Sequence, residues 1–217
     1  MIELVGVSKS YSLKGVHKLI LDDVSYAFPS RRNIAIMGRN GAGKSTLMRM
    51  LAGIELPDRG RIIRDVKVSW PMGFSAGFNG TMTGLENVRF VARVYGADTE
   101  YVIDYVDQFA ELGPSLALPI STYSSGMKAR LAFGLSLAID FECYLIDEIT
   151  AVGDRRFKKK SQAAFDTKLG RSNVIMISHS EAAIRSYCDA GLLLLDGALY
   201  YYDDIATLVA DYKKFVN

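Results

Sequence analysis

A glycine-rich segment near the start of the chain has the residue types and spacing that can hold a phosphate chain. The segment is Gly38, Arg39, Asn40, Gly41, Ala42, Gly43, Lys44, Ser45 and Thr46. It matches the pattern G-x-x-x-x-G-K-[ST], in which glycines let backbone amides curl around phosphate without obstruction by Cβ atoms. A helix that follows adds partial positive charge at its N-terminus. We expect Lys44 to reach the β- and γ-phosphates and the Ser45 hydroxyl to ligate Mg²⁺.

A pair of carboxylates follows an apolar run later in the chain. The sequence Cys-Tyr-Leu-Ile at 143–146 leads into Asp147 and Glu148. A phosphate loop needs a second carboxylate on a neighbouring strand to hold the hydration shell of magnesium. We expect Asp147 to coordinate magnesium through water and Glu148, one residue further out, to polarise an attacking water. The simpler alternative is that both acidic residues cap the next helix.

A histidine stands at the end of another apolar run. His179 follows Ser178 and the apolar residues 174–177, and ligand sites on open α/β sheets form at the carboxyl ends of strands. A lone histidine is usually structural, but this position favours a contact with the γ-phosphate.

The elements around these residues alternate between strand-like and helix-like patterns. Residues 33–37 form a short apolar run typical of a buried strand, and residues 45–52 have helical spacing. Strand-like segments at 2–5 and 19–24 predict a small antiparallel sheet. Further strands are expected at 61–63 and 66–68.

The middle of the chain, from Gly84 to about Asp140, is helical in character. Nearly all-apolar strands return at 144–146, 174–177 and 192–195, as expected for a parallel sheet that is covered on both faces. Asp196-Gly197 predicts a hairpin turn into a final strand, and a last helix follows. The pattern predicts an α/β fold, with a parallel core sheet, an N-terminal antiparallel β subdomain and an inserted α-helical subdomain.

Composition excludes several classes of protein. The 217 residues have a net charge of +2 and 49% apolar content, which argues against disorder and against a strongly basic nucleic-acid binder. Two cysteines are too few for a disulfide framework and predict a reducing compartment. The N-terminus lacks a signal-peptide pattern. The longest uncharged stretch, 68–85, contains a proline and four glycines, so no membrane span is expected.

The motifs together resemble the ATP-binding cassette family in type and order. Residues 38–46, 143–148, 151–154 and His179 look like its Walker A, Walker B, D-loop and H-loop. The resemblance implies a P-loop NTPase fold of the ABC type, a single ATP-binding domain over residues 1–217 with a helical subdomain at about 84–140, and ATP hydrolysis with Mg²⁺.

The segment 123–128 falls where the family's Leu-Ser-Gly-Gly-Gln signature belongs, but it departs from that consensus. Tyr123 replaces leucine, Ser125 replaces the first glycine and Met127 replaces glutamine. Ser124 and Gly126 are retained, so Ser124, Ser125 and Gly126 are expected to contact ATP. Ser124 can also act as an ordinary helix N-cap, and both interpretations can hold.

A second departure concerns the glutamine that normally follows the third strand. Its place falls at Phe74 or Ser75, and a phenylalanine cannot ligate magnesium. Both divergent segments, 123–128 and 70–74, are similar to those of ATPase subunits of bacterial capsular polysaccharide exporters.

Two further features have competing interpretations. Tyr11 corresponds to the aromatic residue that stacks on adenine in such cassettes through its ring face; the alternative is a packed tyrosine at a strand end. The basic run at 155–160 is interpreted as a solvated helix face instead of a nucleic-acid patch. Contact of this run with anionic lipid or a partner subunit stays open.

The resemblance also implies partners and a location. The chain is expected to form a homodimer, dock on two copies of a separate membrane-spanning permease, and drive polysaccharide export, without nucleic acid. It would lie peripherally on the cytoplasmic face of the inner membrane. The alternatives are export of O-antigen or teichoic acid, or a soluble non-transport ABC ATPase. Some exporters of those other polymers add a carbohydrate-binding domain after the cassette; we expect none here, because few residues follow the last predicted strand.

Overall fold

The computed structural model describes residues 1–13, 15–72, 77–147, 155–170 and 172–216. These residues form two compact units, which are treated separately. The sheet unit draws on Met1–Pro71, Phe141–Glu148 and Ser172–Asn217, and the helical unit draws on Met72–Asp140 and Ile149–Arg171.

Strands and helices alternate along most of the chain. The strands are β1 (Ile2–Leu13), β2 (Val16–Phe28), β3 (Ile34–Met37), β4 (Arg59–Arg64), β5 (Val68–Pro71), β6 (Cys143–Asp147), β7 (Asn173–Ile177), β8 (Ala190–Leu195) and β9 (Ala198–Tyr202). The helices are α1 (Lys44–Leu51), α2 (Gly84–Val94), α3 (Thr99–Ala110), α4 (Ser125–Ala138), α5 (Arg155–Leu169), α6 (Glu181–Tyr187) and α7 (Ile205–Val216). Two short 3₁₀ helices, Gly113–Ala117 and Ile120–Thr122, precede α4.

A six-stranded sheet forms the centre of the sheet unit. Its order is β5-β6-β7-β3-β8-β9, and all neighbouring pairs are parallel except β8 and β9. All four residues of β3 are buried, which explains its continuous apolar sequence. Because β6, β7 and β3 are parallel neighbours, their carboxyl ends lie at the same edge of the sheet.

Strands from the N-terminal part of the chain form a three-stranded antiparallel sheet in the order β2-β1-β4. Its register pairs Tyr11 of β1 with Lys18 of β2. Directly opposed residues of an antiparallel pair point to the same face of the sheet. The two side chains are therefore neighbours.

Side chains satisfy backbone groups at two helix ends of the helical unit. Thr83 and Glu86 form a reciprocal capping box at the start of α2. At the end of α3, the Lys160 ammonium donates to the carbonyls of Gln108 and Phe109, both at 3.0 Å. Lys160 thus satisfies carbonyls that α3 leaves unpaired.

The basic run at the start of α5 is only partly a solvated face. Its charged residues at 155, 156, 158 and 159 are exposed, whereas Phe157 is buried and Lys160 is half-buried. The centroid of the Phe157 ring lies 5.5 Å from that of the Phe109 ring. The Arg130 guanidinium lies over the Phe157 ring, 4.5 Å from its centroid. One side of α5 therefore packs within the helical unit.

Two elements differ from the sequence prediction. The strand expected at 66–68 begins at Val68 instead, where it pairs with Cys143. The Lys67 amide donates to the Glu142 carboxylate, and the Lys67 carbonyl accepts from the amides of Glu142 and Cys143, so Lys67 contacts the start of β6 outside the regular ladder. Helix α6 was not predicted, because its seven residues include one buried apolar side chain, Ile184, and show no helical stripe.

Both cysteines are buried thiols in the sheet unit. Cys143 begins β6, and Cys188 follows α6. Burial raises the pKa of each thiol to about 12, so neither forms a thiolate near neutral pH. Across the described residues, none of the helices is long and apolar enough to cross a bilayer.

A close contact in the helical unit involves Tyr123, one of the departures from the family's signature. Tyr123 is 5% exposed, and its hydroxyl donates to the Ser115 carbonyl at 2.6 Å. A Cβ atom on Gly84 would collide with that hydroxyl and would lie 3.1 Å from the Leu116 carbonyl oxygen. Tyr123 therefore fills space that exists because residue 84 is glycine.

Replacing Gly84 by alanine should lower the free energy of unfolding by about 1–3 kcal/mol, the usual cost of overpacking. Urea titration followed by circular dichroism measures this loss. Gly80→Ala is the matched control, because its Cβ would meet the Ser121 Cβ and amide nitrogen at ordinary distances of 3.9 and 4.0 Å. Adding Tyr123→Phe to Gly84→Ala should recover part of the loss. Equal free energies of unfolding for Gly84→Ala and Gly80→Ala would contradict the importance of this contact.

Candidate functional site

The glycine-rich segment connects the buried strand β3 to helix α1. Gly43, with φ of +109°, immediately precedes α1 and has no side chain that could cap it. A Cβ at this position would collide with Ile20. The N-terminus of α1 is therefore without a side-chain cap, an arrangement that favours an anion.

Lys44 folds back over the loop. Its ammonium donates to the Gly38 carbonyl at 2.7 Å and to the Arg39 carbonyl at 3.1 Å. The Ala42 amide donates to the Arg39 carbonyl at 3.0 Å and closes the turn. The positive charge thus lies at the mouth of a ring of backbone groups, where a phosphate oxygen can accept from it.

Two other predicted residues reach the same edge of the sheet. Asp147 is the last residue of β6 and pairs with Ile177, the last residue of β7. His179 lies two residues beyond the end of β7. Since β7 is hydrogen-bonded to both β6 and β3, the carboxylate and the imidazole are placed beside the loop that leaves β3.

These groups line one cavity of about 480 Å³ in the sheet unit. The lining residues are Tyr11, Lys18, Ile20, Asn40, Gly41, Gly43, Lys44, Ser45, Thr46, Asp147, Ile177 and His179. Polar and cationic groups are concentrated at the 38–46 loop, and β1 contributes the aromatic ring of Tyr11. The arrangement is suited to a ligand with a phosphate chain and a flat apolar part.

Lys18, Ile20 and Ile177 were not predicted as site residues. The Lys18 ammonium lies 3.3 Å from the position that a Cβ on Gly41 would occupy, so a second cation accompanies Lys44 at the loop. Lys18 and Ile20 are two residues apart on β2, and alternation places them on one face. Tyr11 was predicted as a site residue, and its pairing with Lys18 places Lys18 on the same face of the sheet. The register of β1 against β2, on which this pairing depends, is not evident from the sequence.

Tyr11 is in the cavity wall and is 38% exposed. Its hydroxyl donates to the Glu55 carboxylate and accepts from Arg49 Nη2 at 3.3 Å. Sequence reasoning assigned importance only to the ring face. The structure shows that the hydroxyl also has specific partners.

Comparison with known proteins identifies the family. Residues 21–151 match the sequence profile of ABC transporters. The chain is also 48% identical to a polysialic acid transport ATP-binding protein, KpsT, of Escherichia coli, over 99% of both chains. The chain belongs to the ABC transporter family.

Other similar proteins fit the same assignment. The capsule polysaccharide export ATP-binding protein CtrD of Neisseria meningitidis is 45% identical over 94% of this chain and 95% of its own length. A solved dimeric ATP-binding cassette in a post-hydrolysis state, bound to ADP and phosphate, is 20% identical, with a TM-score of 0.73 over 94% of this chain and 99% of its own. The ABC-family prediction and the predicted fold class are both confirmed.

The signature segment of this ABC protein lies in the helical unit. Ser124 is the N-cap of α4, and its hydroxyl accepts from the Met127 amide at 3.2 Å. Ser125 and Gly126 form the first turn of that helix. These three residues do not line the cavity of the sheet unit. Their contact with ATP stays a prediction, while the N-cap interpretation of Ser124 is correct.

Three assignments fall outside the described residues. They are Glu148, the place of the missing glutamine at Phe74 or Ser75, and the D-loop at 151–154. The proposed role of Glu148 therefore depends on its position next to Asp147 in the sequence.

Lys44→Ala should reduce ATP hydrolysis to background and leave the fold intact, because it removes a charge from a loop that backbone groups already shape. Phosphate release by the purified variant measures the loss, and its thermal melting curve checks the fold. Lys168→Ala, on α5 of the helical unit, is the control for loss of one lysine. Unchanged turnover in Lys44→Ala would reject the assignment of the loop.

Proposed function

We propose that this chain is the ATP-binding and ATP-hydrolysing subunit of an ABC exporter that moves capsular polysaccharide across the bacterial inner membrane. The observation that carries the proposal is the identity of 48% over 99% of the chain to a polysialic acid transport protein. The capsule polysaccharide export ATP-binding protein CtrD of Neisseria meningitidis is 45% identical, and the ATP-binding protein BexA of Haemophilus influenzae is 44% identical.

The cavity has donors suited to ATP and Mg²⁺. The Tyr11 ring would stack on adenine, and residues 38–46 would hold the phosphates. The Ser45 hydroxyl and the Asp147 carboxylate line the same cavity, and hard oxygen donors of this kind suit Mg²⁺. Bound there, the metal would neutralise charge on the β- and γ-phosphates.

The protein groups would contribute positioning and electrostatics. Lys44 and the amides of the loop would stabilise charge that develops on the transferred phosphoryl group. His179, at the cavity wall, would contact the γ-phosphate. Glu148, next to the magnesium carboxylate, would orient or deprotonate the attacking water.

The assembly we propose is a homodimer on two copies of a membrane-spanning permease, with polysaccharide handled through that permease. Ser124, Ser125 and Gly126 of one copy would complete the ATP site of the other, since each chain holds one phosphate loop and one signature segment. The chain would be a single ABC ATP-binding domain over residues 1–217, with its helical subdomain at about 84–140, peripheral on the cytoplasmic face of the inner membrane.

The principal alternative is export of another cell-surface polymer. A teichoic acids export ATP-binding protein of Bacillus cereus and an O-antigen export system ATP-binding protein of Myxococcus xanthus are 36% and 31% identical, respectively. The higher identity to capsule proteins favours capsular polysaccharide. A soluble ABC ATPase of DNA repair or translation receives no support from these relatives.

The partner and the cargo are tested in cells of the source bacterium. An affinity-tagged chain, purified from detergent-solubilised membranes, should bring with it a multi-spanning permease in equal amount, identified by mass spectrometry. Deletion of the chain should abolish surface capsule while O-antigen is retained. Loss of O-antigen with an intact capsule would show that the cargo is wrong. Recovery without any membrane protein would argue for the soluble class.

Glu148→Gln should stop hydrolysis while ATP still binds, because the substitution keeps the size of the side chain and removes its basicity. Phosphate release and equilibrium binding of ATP measure the two properties separately. Size-exclusion chromatography with light scattering in ATP and magnesium should show a persistent dimer for the variant and mostly monomer, near 23.9 kDa, for the wild type. If the variant hydrolyses ATP at the wild-type rate, the general base must be a residue other than Glu148.

A further inference from the structure

A cluster of polar side chains surrounds the hydroxyl of Tyr11, at the side of the ring away from the strand backbone. The hydroxyl donates to Glu55 and accepts from Arg49 Nη2 at 3.3 Å. A tyrosine hydroxyl that both donates and accepts has its orientation fixed by two bonds. The ring is therefore held from its far end, although it is at a partly exposed position.

Glu55 is the centre of the cluster. Besides Tyr11, its carboxylate pairs with Arg49 Nε at 3.0 Å and with the Lys9 ammonium at 3.1 Å. Burial by itself raises the pKa of Glu55, but hydrogen bonds from its three donors outweigh that effect and leave the pKa below its usual value. The carboxylate is thus charged near neutral pH and accepts strong hydrogen bonds.

Arg49 connects this cluster to the phosphate loop. It is located in the last turn of α1, and its Nη2 donates to the Thr46 hydroxyl at 3.1 Å. After α1 the chain turns back, and the amides of Ile54 and Glu55 both donate to the Arg49 carbonyl, at 2.9 and 3.2 Å. One guanidinium therefore bridges Tyr11 of β1 and Thr46, which lies in the first turn of α1 at the end of the 38–46 segment.

Lys9 restricts the ring further. Its ammonium lies over the Tyr11 ring, 5.3 Å from the centroid, and it also pairs with Asp58 at 3.1 Å. A base can then stack only on the opposite face of the ring. The cluster determines both the position of the ring and the face that it offers.

We propose that Glu55 and Arg49 are positioning residues, which hold the Tyr11 ring ready for the adenine base and tie it to the phosphate loop. The inference rests on the proposed stacking of Tyr11 on adenine. A side chain that is ordered before binding loses less conformational entropy when the ligand arrives, so preorganisation increases affinity. The effect should concern the base and not the phosphates.

The test compares a ligand with a base and one without. Dissociation constants of ADP and inorganic pyrophosphate, each with Mg²⁺, are measured on the full chain by calorimetry and by competition. ADP is used in place of ATP because it lacks the γ-phosphate whose hydrolysis would drive a change of dimer state. The variants are Glu55→Ala, Glu55→Gln, Tyr11→Phe, Tyr11→Ala and the double variant Tyr11→Phe/Glu55→Ala.

Glu55→Ala should raise the Kd for ADP about fivefold, less than the full worth of a base–aromatic stack. The Kd for pyrophosphate should change by less than about twofold, since a difference that small is within the scatter of independent sites. Glu55→Gln, which keeps an acceptor for the hydroxyl, should restore part of the affinity. In the Tyr11→Phe background, Glu55→Ala should add almost nothing, because the hydroxyl through which it acts is gone.

A matched control is available in the helical unit. Glu111 pairs with Lys160 at 2.7 Å and is similarly charged, so Glu111→Ala removes one carboxylate from a comparable ion pair. Its Kd for ADP should equal that of the wild type. Should Glu55→Ala fail to fold, Glu55→Gln and its double variant with Tyr11→Phe give the same comparison.

The outcomes separate the two proposals. Unchanged ADP affinity in Tyr11→Ala would overturn the stacking role itself. Weakened ADP binding in Tyr11→Ala but not in Glu55→Ala would overturn the positioning role alone. If Glu55→Ala raises the Kd values of ADP and pyrophosphate equally, Glu55 acts on the phosphate loop and the positioning role is wrong. If the effects of Tyr11→Phe and Glu55→Ala on the Kd for ADP are additive, Glu55 does not act through the Tyr11 hydroxyl.

Discussion

The backbone amides at the start of α1 are the groups on which the rest of the site depends. Gly43 leaves them without a side-chain cap, and the chain must reach them from a buried strand within six residues. Uncapped amides need an acceptor, and in this protein the sheet edge directs two further groups, Asp147 and His179, toward the same place. An anion that binds the amides would therefore lie in the same cavity as a carboxylate and an imidazole.

The parts of the site that follow from local pattern could be predicted from sequence. The loop at 38–46 carries its own spacing signal. Asp147 and His179 each follow an all-apolar strand, and parallel strands place their carboxyl ends at one edge. Lys18 could not be predicted, because its place beside the loop depends on the register of β1 with β2, which has several irregularities.

Contacts between residues far apart in the chain could not be predicted from the sequence either. Tyr11 and Glu55 are 44 residues apart and meet only because the chain reverses after α1. Tyr123 was evident as a departure from the family's signature, but its packing against Gly84 depends on the fold of α2 and of the 3₁₀ segments. The helix α6 was missed because a short helix with one buried side chain gives no periodic signal.

The burial of Cys143 and Cys188 has a practical consequence for labelling. Reagents that alkylate thiols react with the thiolate, and both thiols have a pKa of about 12 inside the sheet unit. The native protein should therefore be almost inert to maleimides, and slow modification would report transient opening of the sheet. A cysteine introduced on the surface of each unit could be labelled in the wild-type background, so that fluorescence distances between the units are measurable without removing the native cysteines.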